Sequence, residues 1–185
     1  VLEEEREFQE RFDQCVDDPA CNPDTLEIDR SVSSRWYTEA VELCQLIMSG
    51  YPTWYRADEA SYFAASALWS LERRSEAVSE LTRLVRVWPD SELVPDVYLL
   101  VGEHYFDESQ VYKALVAYQK AAAFSGWEKQ SLARYKLAWC DYNAQEYASA
   151  LKKFKYVVSQ AEKGNGKVRL KEEALRDMVM SYAQV

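Results

Sequence analysis

The sequence predicts an all-α chain built from one helical hairpin repeated along its length, and three observations carry that expectation. First, four segments share an Ala, an aliphatic residue beside it, a large residue four on and a small or aliphatic one at seven. They are Ala40-Val41…Cys44…Ile47, Ala77-Val78…Leu81…Leu84, Ala114-Leu115…Tyr118…Ala121 and Ala150-Leu151…Phe154…Val157, at intervals of 37, 37 and 36 residues. Positions i, i+1, i+4 and i+7 fall on one face of an α-helix, and a recurring interval of this size marks a repeat architecture. Second, each of the last three is preceded by another apolar-periodic segment whose small residue (Ala65, Gly102, Ala138) stands twelve positions before the signature Ala. Helices crossing within about 8–10 Å need a small residue at the crossing. Third, five Gly and five Pro among 185 residues are too few for a β-protein of tight turns, while 48% apolar residues suffice for a core.

The elements follow in chain order. Glu3 to Asp17 reads as a charged helix with Leu2, Phe8, Phe12 and Cys15/Val16 as its apolar stripe, followed by a Pro- and acid-containing loop from Asp18 to Asp29. Residues 1–30 therefore form an acidic helical cap and loop. Residues 31–164 carry the repeats: a partial one over 31–52, then 58–91, 95–126 and 131–164. Punctuation falls between them at Tyr51-Pro52, Pro89-Asp90-Ser91, Ser125-Gly126 and Gly164-Asn165-Gly166. Residues 167–185, with Glu173-Ala174-Leu175-Arg176…Val179-Met180…Tyr182, read as the first helix of a further, incomplete repeat. The expectation is that Val1 opens a mature or trimmed chain and that the natural protein continues past Val185, covering an apolar end that a repeat stack otherwise exposes.

These residues resemble the tetratricopeptide repeat (TPR) family. Val101-Gly102…Tyr105…Ala114…Tyr118…Ala121 follows the family pattern almost completely, with Gly126 where the closing Pro would stand. Ala65…Leu68…Ala77…Leu81…Leu84…Pro89 fits with Ala for Gly and Leu for the aromatics. Leu137-Ala138…Tyr147…Ala150…Phe154 fits except that Asp141 replaces an aromatic, and Ala40…Cys44…Ile47…Pro52 matches only the second helix of a unit. The resemblance covers about residues 36–160 and implies a right-handed, TPR-like superhelical solenoid of antiparallel helix pairs. Intervals of 36–37 rather than 34 imply longer connections, as around Glu92-Leu93-Val94. With the Tyr-Pro and Trp-Pro-Asp-Ser closings, they resemble TPR proteins of the bacterial cell envelope, of the outer-membrane-assembly lipoprotein or Tol–Pal-associated type. That resemblance implies a periplasmic or outer-membrane-associated protein with protein partners in an envelope complex; a cytoplasmic location is the alternative, and a homo-oligomer is compatible with it.

The net charge of −9 is unevenly placed: residues 1–30 hold eleven acids against three Arg, whereas residues 152–176 hold eight Lys/Arg against three Glu. An acidic chain is poorly suited to neutralising phosphates, which excludes nucleic acid as the expected partner, and the basic stretch reads as a solvated helix face and loop. No apolar run reaches the roughly 18–20 residues that span a bilayer. His104 is the sole histidine and reads as a residue of a helix seam, so no catalytic constellation is expected. Gly164-Asn165-Gly166 follows no strand and reads as a turn rather than a phosphate loop. With one His and no Cys-x-x-Cys there is no metal-ligand set. The expectation is a non-enzymatic protein without metal or cofactor.

Two candidate features remain. Cys15 and Cys21, six apart, suit a disulfide that joins the end of the first helix to the loop in an oxidising compartment; the alternative is two free thiols in a reducing one. Cys44 and Cys140 occupy core-facing helix positions, where Cys acts as a small hydrophobe. The family's groove positions, carried over, are Tyr62, Ser66 and Trp69 in one repeat, Leu99, Glu103, Phe106 and Asp107 in the next, and Tyr135, Trp139, Tyr142 and Asn143 in the third. Such an aromatic-lined concave face suits a peptide or helix of a partner, although Tyr and Trp are also ordinary packing residues. The resulting expectation is a protein–protein interaction scaffold of a multiprotein assembly. The alternatives are a cell-wall glycan-binding module using Trp69, Trp127 and Trp139, or the adaptor part of an enzyme whose catalytic domain lies outside this chain.

Overall fold

The computed structural model describes residues 2–18, 20–162 and 168–184, and every regular element among them is helical. The helices are α1 (Leu2–Val16), α2 (Ser31–Gly50), α3 (Ala57–Ser70), α4 (Arg74–Val87), α5 (Val94–Asp107), α6 (Val111–Ala122), α7 (Gln130–Asn143), α8 (Tyr147–Glu162) and α9 (Val168–Tyr182), with a short 3-10 turn at Pro23–Thr25. The turn expected at Gly164-Asn165-Gly166, the side chain of Leu2 in the N-terminal stripe and Pro19 in the following loop lie outside the described residues. The chain forms two compact units, Val1–Ala77 and Val78–Val185, with the division inside α4.

In the first unit α2 packs against α3. The core gathers Val41 from α2, Ala67 and Leu68 from α3 and Ala77 from α4, with Tyr37, Ala40, Trp69 and Leu71 around them. The N-terminus of α2 has no capping side chain at Arg30. The first N–H groups of a helix have no partner within it, and here two carboxylates from outside accept them. Asp29 Oδ1 accepts from Ser31 N at 2.9 Å, and Glu4 Oε1, reaching from α1, accepts from Ser33 N at 2.8 Å. These backbone N–H donors hold both carboxyls below their ordinary values. A second tie runs from Arg11 Nη2 to the Glu27 carbonyl at 2.8 Å. Phe8 and Phe12 stack in the half-buried stripe of α1 at 6.2 Å between centroids, and Cys15 is buried.

The second unit builds its core in layers of neighbouring helices: α5 on α6, α6 on α7, α7 on α8 and α8 on α9. One cluster joins Leu99, Ala114, Tyr118, Ala121, Ala133, Leu137 and Cys140; the next joins Ala138, Ala150, Phe154, Val157 and Ala174. The signature alanines Ala114 and Ala150 are both fully buried. Gly102 shows why its position is small: a Cβ built there would lie 2.5 Å from Cδ1 and Cε1 of Tyr118, itself fully buried. What closes over the glycine is the ring of the aromatic signature residue of α6.

The bend inside each hairpin uses one device three times. Glu72, Ser109 and Gln145 have φ of 57°, 57° and 64°, at the repeat spacing. At each, the following residue's N–H donates five residues back, as Arg73 to Leu68 O (2.9 Å), Gln110 to Tyr105 O (2.8 Å) and Glu146 to Asp141 O (2.8 Å). The left-handed residue itself donates to Trp69 O, Phe106 O and Tyr142 O respectively. This double bond pattern is a Schellman C-cap. Connections between hairpins repeat as well. Trp54 N donates to Tyr51 O and Ala57 N to Trp54 O; 37 residues on, Ser91 N donates to Trp88 O and Val94 N to Ser91 O. Val94, expected within a connection, is instead the first residue of α5.

Candidate partner-binding surface

On α3, Tyr62, Ser66 and Trp69 follow one another at helical spacing. Ser66 is exposed, its hydroxyl donating to the Tyr62 carbonyl at 3.0 Å, while Tyr62 and Trp69 are half-buried. The Trp69 ring rests on the unit's core and carries the Arg74 guanidinium 4.7 Å from its centroid, in cation–π range. Arg74 Nη2 is fixed in turn by Glu72 Oε2 at 2.8 Å. Trp69 also lines a cavity of about 240 Å³ together with Tyr37, Ser33, Glu4 and Glu72. Phe63, next to Tyr62 in the sequence of α3, is 58% exposed.

In the second unit the expected groove residues divide by what holds them. Leu99, 7% exposed, belongs to the α5–α6–α7 core. Glu103 accepts from the Tyr118 hydroxyl at 2.9 Å and from Lys136 Nζ at 2.7 Å, so one carboxylate joins α5, α6 and α7. Burial, then the Glu103 charge, pushes the Tyr118 phenol far above its ordinary range. Phe106 is half-buried, 6.5 Å from the Tyr118 ring. Tyr135 donates its hydroxyl to Asp177 Oδ2 at 2.6 Å, and Trp139 donates Nε1 to the same oxygen at 3.2 Å. Burial, with that hydrogen bond second, pushes the Tyr135 phenol up to about 12. Trp139 meets Phe154 edge-on at 6.1 Å and Tyr142 at 5.3 Å; Tyr142 continues the row to Tyr147 at 5.3 Å. Asp107 and Asn143, the last residues of α5 and α7, are exposed. The aromatics of α7 are thus held by α8 and α9 through both their faces and their polar atoms.

Sequence reasoning missed the acids that organise these seams. Asp141 is 5% exposed and paired with Lys153 across the α7–α8 hairpin, while Asp177, 8% exposed, receives Tyr135 and Trp139. The two acids stand 36 residues apart, one repeat. That interval was the available signal: Asp141 looked only like a departure from the aromatic pattern. Trp127 is similarly engaged, its Nε1 donating to Asp96 Oδ2 at 3.1 Å.

Other chemistry is quiet. His104 is half-buried, its ring 5.3 Å from Tyr105. Burial pushes the Cys140 thiol up to about 12, so it stays protonated and unreactive. Cys15 and Cys21 lie at disulfide distance, with Cα–Cα 5.3 Å. Among the described residues no group of three His, Cys, Asp or Glu is arranged to hold a metal, and no helix is long and apolar enough to cross a membrane.

No protein-family model matches the chain, and no curated protein sequence does. Solved structures do. The kinesin-light-chain TPR-like repeats of Podosopora anserina superpose with a TM-score of 0.60, and a one-residue variant of them with 0.62; each is 16% identical and covers 82% of this chain and 80% of its own. MamA superposes with a TM-score of 0.56 at 16% identity, covering 86% of this chain and 95% of its own. With the period, the helix order and the buried signature alanines, this likeness establishes that the chain has the all-α fold of TPR-like repeat proteins.

Proposed function

We propose that this protein is a non-enzymatic scaffold that binds a peptide or helix of a partner within a multiprotein assembly of a bacterial cell envelope. The observation that carries the reading is the α3 surface. Exposed Ser66 lies beside the half-buried rings of Tyr62 and Trp69, and Trp69 borders an open cavity. A large ring seated on a rigid helix is the usual anchor of a protein interface, because it loses little conformational freedom on binding. The TPR-like fold supports the role in kind. The closings of the repeats and the approach of Cys15 to Cys21 support an oxidising envelope compartment, where such a pair forms a disulfide.

The reading narrows the sequence expectation. Tyr135 and Trp139 spend their polar atoms on Asp177, so they act first as packing residues, and the α3 surface is the better anchor. A glycan module loses ground for the same reason, since the indole N–H groups of Trp127 and Trp139 are already donated inside the chain.

The test is selection of displayed random peptides on the purified protein, followed by affinity measurement on the Trp69→Ala and Ser66→Arg variants. Selected peptides are expected to lose at least tenfold in affinity for both variants, with circular dichroism unchanged. Peptides that bind both variants as they bind the parent would place recognition elsewhere and overturn the reading.

A further inference from the structure

The second unit opens a cavity of about 470 Å³ lined by Arg134 and Leu137 of α7 and by Ser149, Lys152, Lys153 and Tyr156 of α8. Among the described residues its wall holds three cations and no carboxylate. Lys153 is already matched, being paired with buried Asp141. The other two are not. Arg134 donates one N–H to the Tyr156 hydroxyl and lies 4.8 Å over that ring, which fixes its fork, yet among the described residues it meets no carboxylate. Lys152 is exposed and makes no ion pair among the described residues. Beside these charges the cavity is apolar: Leu137, part of the hydrophobic core, and the Tyr156 ring, 43% exposed.

This combination selects a ligand. A planar guanidinium held by an aromatic ring, with most of its five donors unused, is preorganised for a carboxylate. A free inorganic anion would satisfy Arg134 and Lys152 but leave the apolar wall uncovered. A nucleic acid would have to approach a chain whose net charge is −9. An acidic polypeptide satisfies both halves. We infer that this cavity docks an acidic segment of a partner polypeptide, a carboxylate bridging Arg134 and Lys152 while a neighbouring apolar side chain covers the exposed Tyr156 ring beside buried Leu137. The site lies on α7 and α8, uses none of the aromatic groove residues and does not depend on the α3 surface.

Fluorescence anisotropy on the full chain tests it, using a labelled, capped peptide of alternating glutamate and leucine. Its glutamine–leucine counterpart, inorganic phosphate and a single-stranded oligonucleotide serve as comparisons. The glutamate peptide is expected to bind at least tenfold more tightly than the glutamine one, and less tightly as salt rises. Lys152→Gln, a change at an exposed side chain, is expected to weaken it at least threefold, and Arg134→Gln at least tenfold. Because Arg134→Gln also removes the contact with Tyr156, its melting temperature is measured alongside, and Lys152→Gln carries the decision if the fold suffers. No binding, equal binding of the glutamine peptide, or an unchanged affinity in Lys152→Gln overturns the inference. Displacement by phosphate or the oligonucleotide at an affinity matching the peptide's overturns the choice of ligand.

Discussion

At the scale of single residues, Gly102 is decided by two opposing effects. Replacing a mid-helix glycine with alanine ordinarily stabilises by about 0.5–1 kcal/mol. Here the added Cβ would sit 2.5 Å from two carbons of the Tyr118 ring. That ring cannot swing aside, being fully buried with its hydroxyl held by Glu103. Overpacking of a filled core costs about 1–3 kcal/mol, so the clash outweighs the propensity gain. Gly102→Ala is expected to lower stability by about 1–2 kcal/mol in urea unfolding; an increase would mean that the two helices part easily. The left-handed turn residues invert the argument. Ser109, at φ 57°, carries a side chain where glycine is at ease. Strain of this kind is worth about 1–2 kcal/mol, and β-branched side chains tolerate the region worst. Ser109→Gly is therefore expected to hold or raise the melting temperature and Ser109→Val to lower it, a contrast that thermal unfolding of the pair reads directly.

At the scale of elements, helix ends and helix seams were read from the sequence with unequal success. The helices themselves were legible because burial repeats at 3.6 residues and the whole pattern repeats at 36–37. Ala65, Gly102 and Ala138, singled out as small residues, are all buried. The bends inside the hairpins were not legible, because Glu72, Ser109 and Gln145 are neither Gly nor Asn, the residues that usually mark a left-handed helix cap. The candidate face was legible only as composition. Tyr135 and Trp139 have the helical spacing of a groove, but the acid that claims them lies about forty residues away, on α9, and no local pattern announces it. Two predictions belong here. Asp177→Ala would leave two half-buried donors without an acceptor and is expected to cost about 1–3 kcal/mol, whereas Asp177→Asn, which keeps an acceptor oxygen, should cost less than half as much. Equal losses in the two variants would show that the seam depends on packing or charge rather than on the two hydrogen bonds. The start of α2 is expected to be sensitive to acid. Glu4 and Asp29 have lowered values in the folded chain, so their contribution is present at neutral pH and is lost as pH falls through and below the ordinary carboxylate range. Amide exchange at Ser31 and Ser33 should therefore gain protection as pH rises through that range, after correction for intrinsic rates, and Glu4→Gln should abolish the gain at Ser33.

At the scale of the molecule, what matters is that each helix of the second unit is covered mainly by its neighbours in sequence. Stability in such an arrangement is approximately a sum of hairpin and nearest-neighbour terms, so it need not be uniform along the chain. Helices α6 and α7 are packed by neighbours on both sides and supply Tyr118, Ala121, Ala133, Leu137 and Cys140 to one core. Helix α9 presses Ala174 and Met178 into the next core but leaves Val179 69%, Tyr182 53% and Met180 42% exposed. Its attachment rests on that apolar seam, on Asp177 and on two surface contacts with α8, the Lys171–Glu162 ion pair and Lys155 over the Tyr182 ring. Loss of α9 would strip the Phe154 cluster of one wall while leaving the Tyr118 cluster intact. Native-state hydrogen exchange in low urea is therefore expected to show α9 opening first, at a free energy below that of α6 and α7. Asp177→Ala should lower the α9 opening energy by nearly its full cost while leaving the α6 and α7 amides that exchange without α9 release unchanged. Were all three helices to exchange through one common opening, and the substitution to shift them equally, the unit would behave as a single cooperative block and the nearest-neighbour account of its stability would fail.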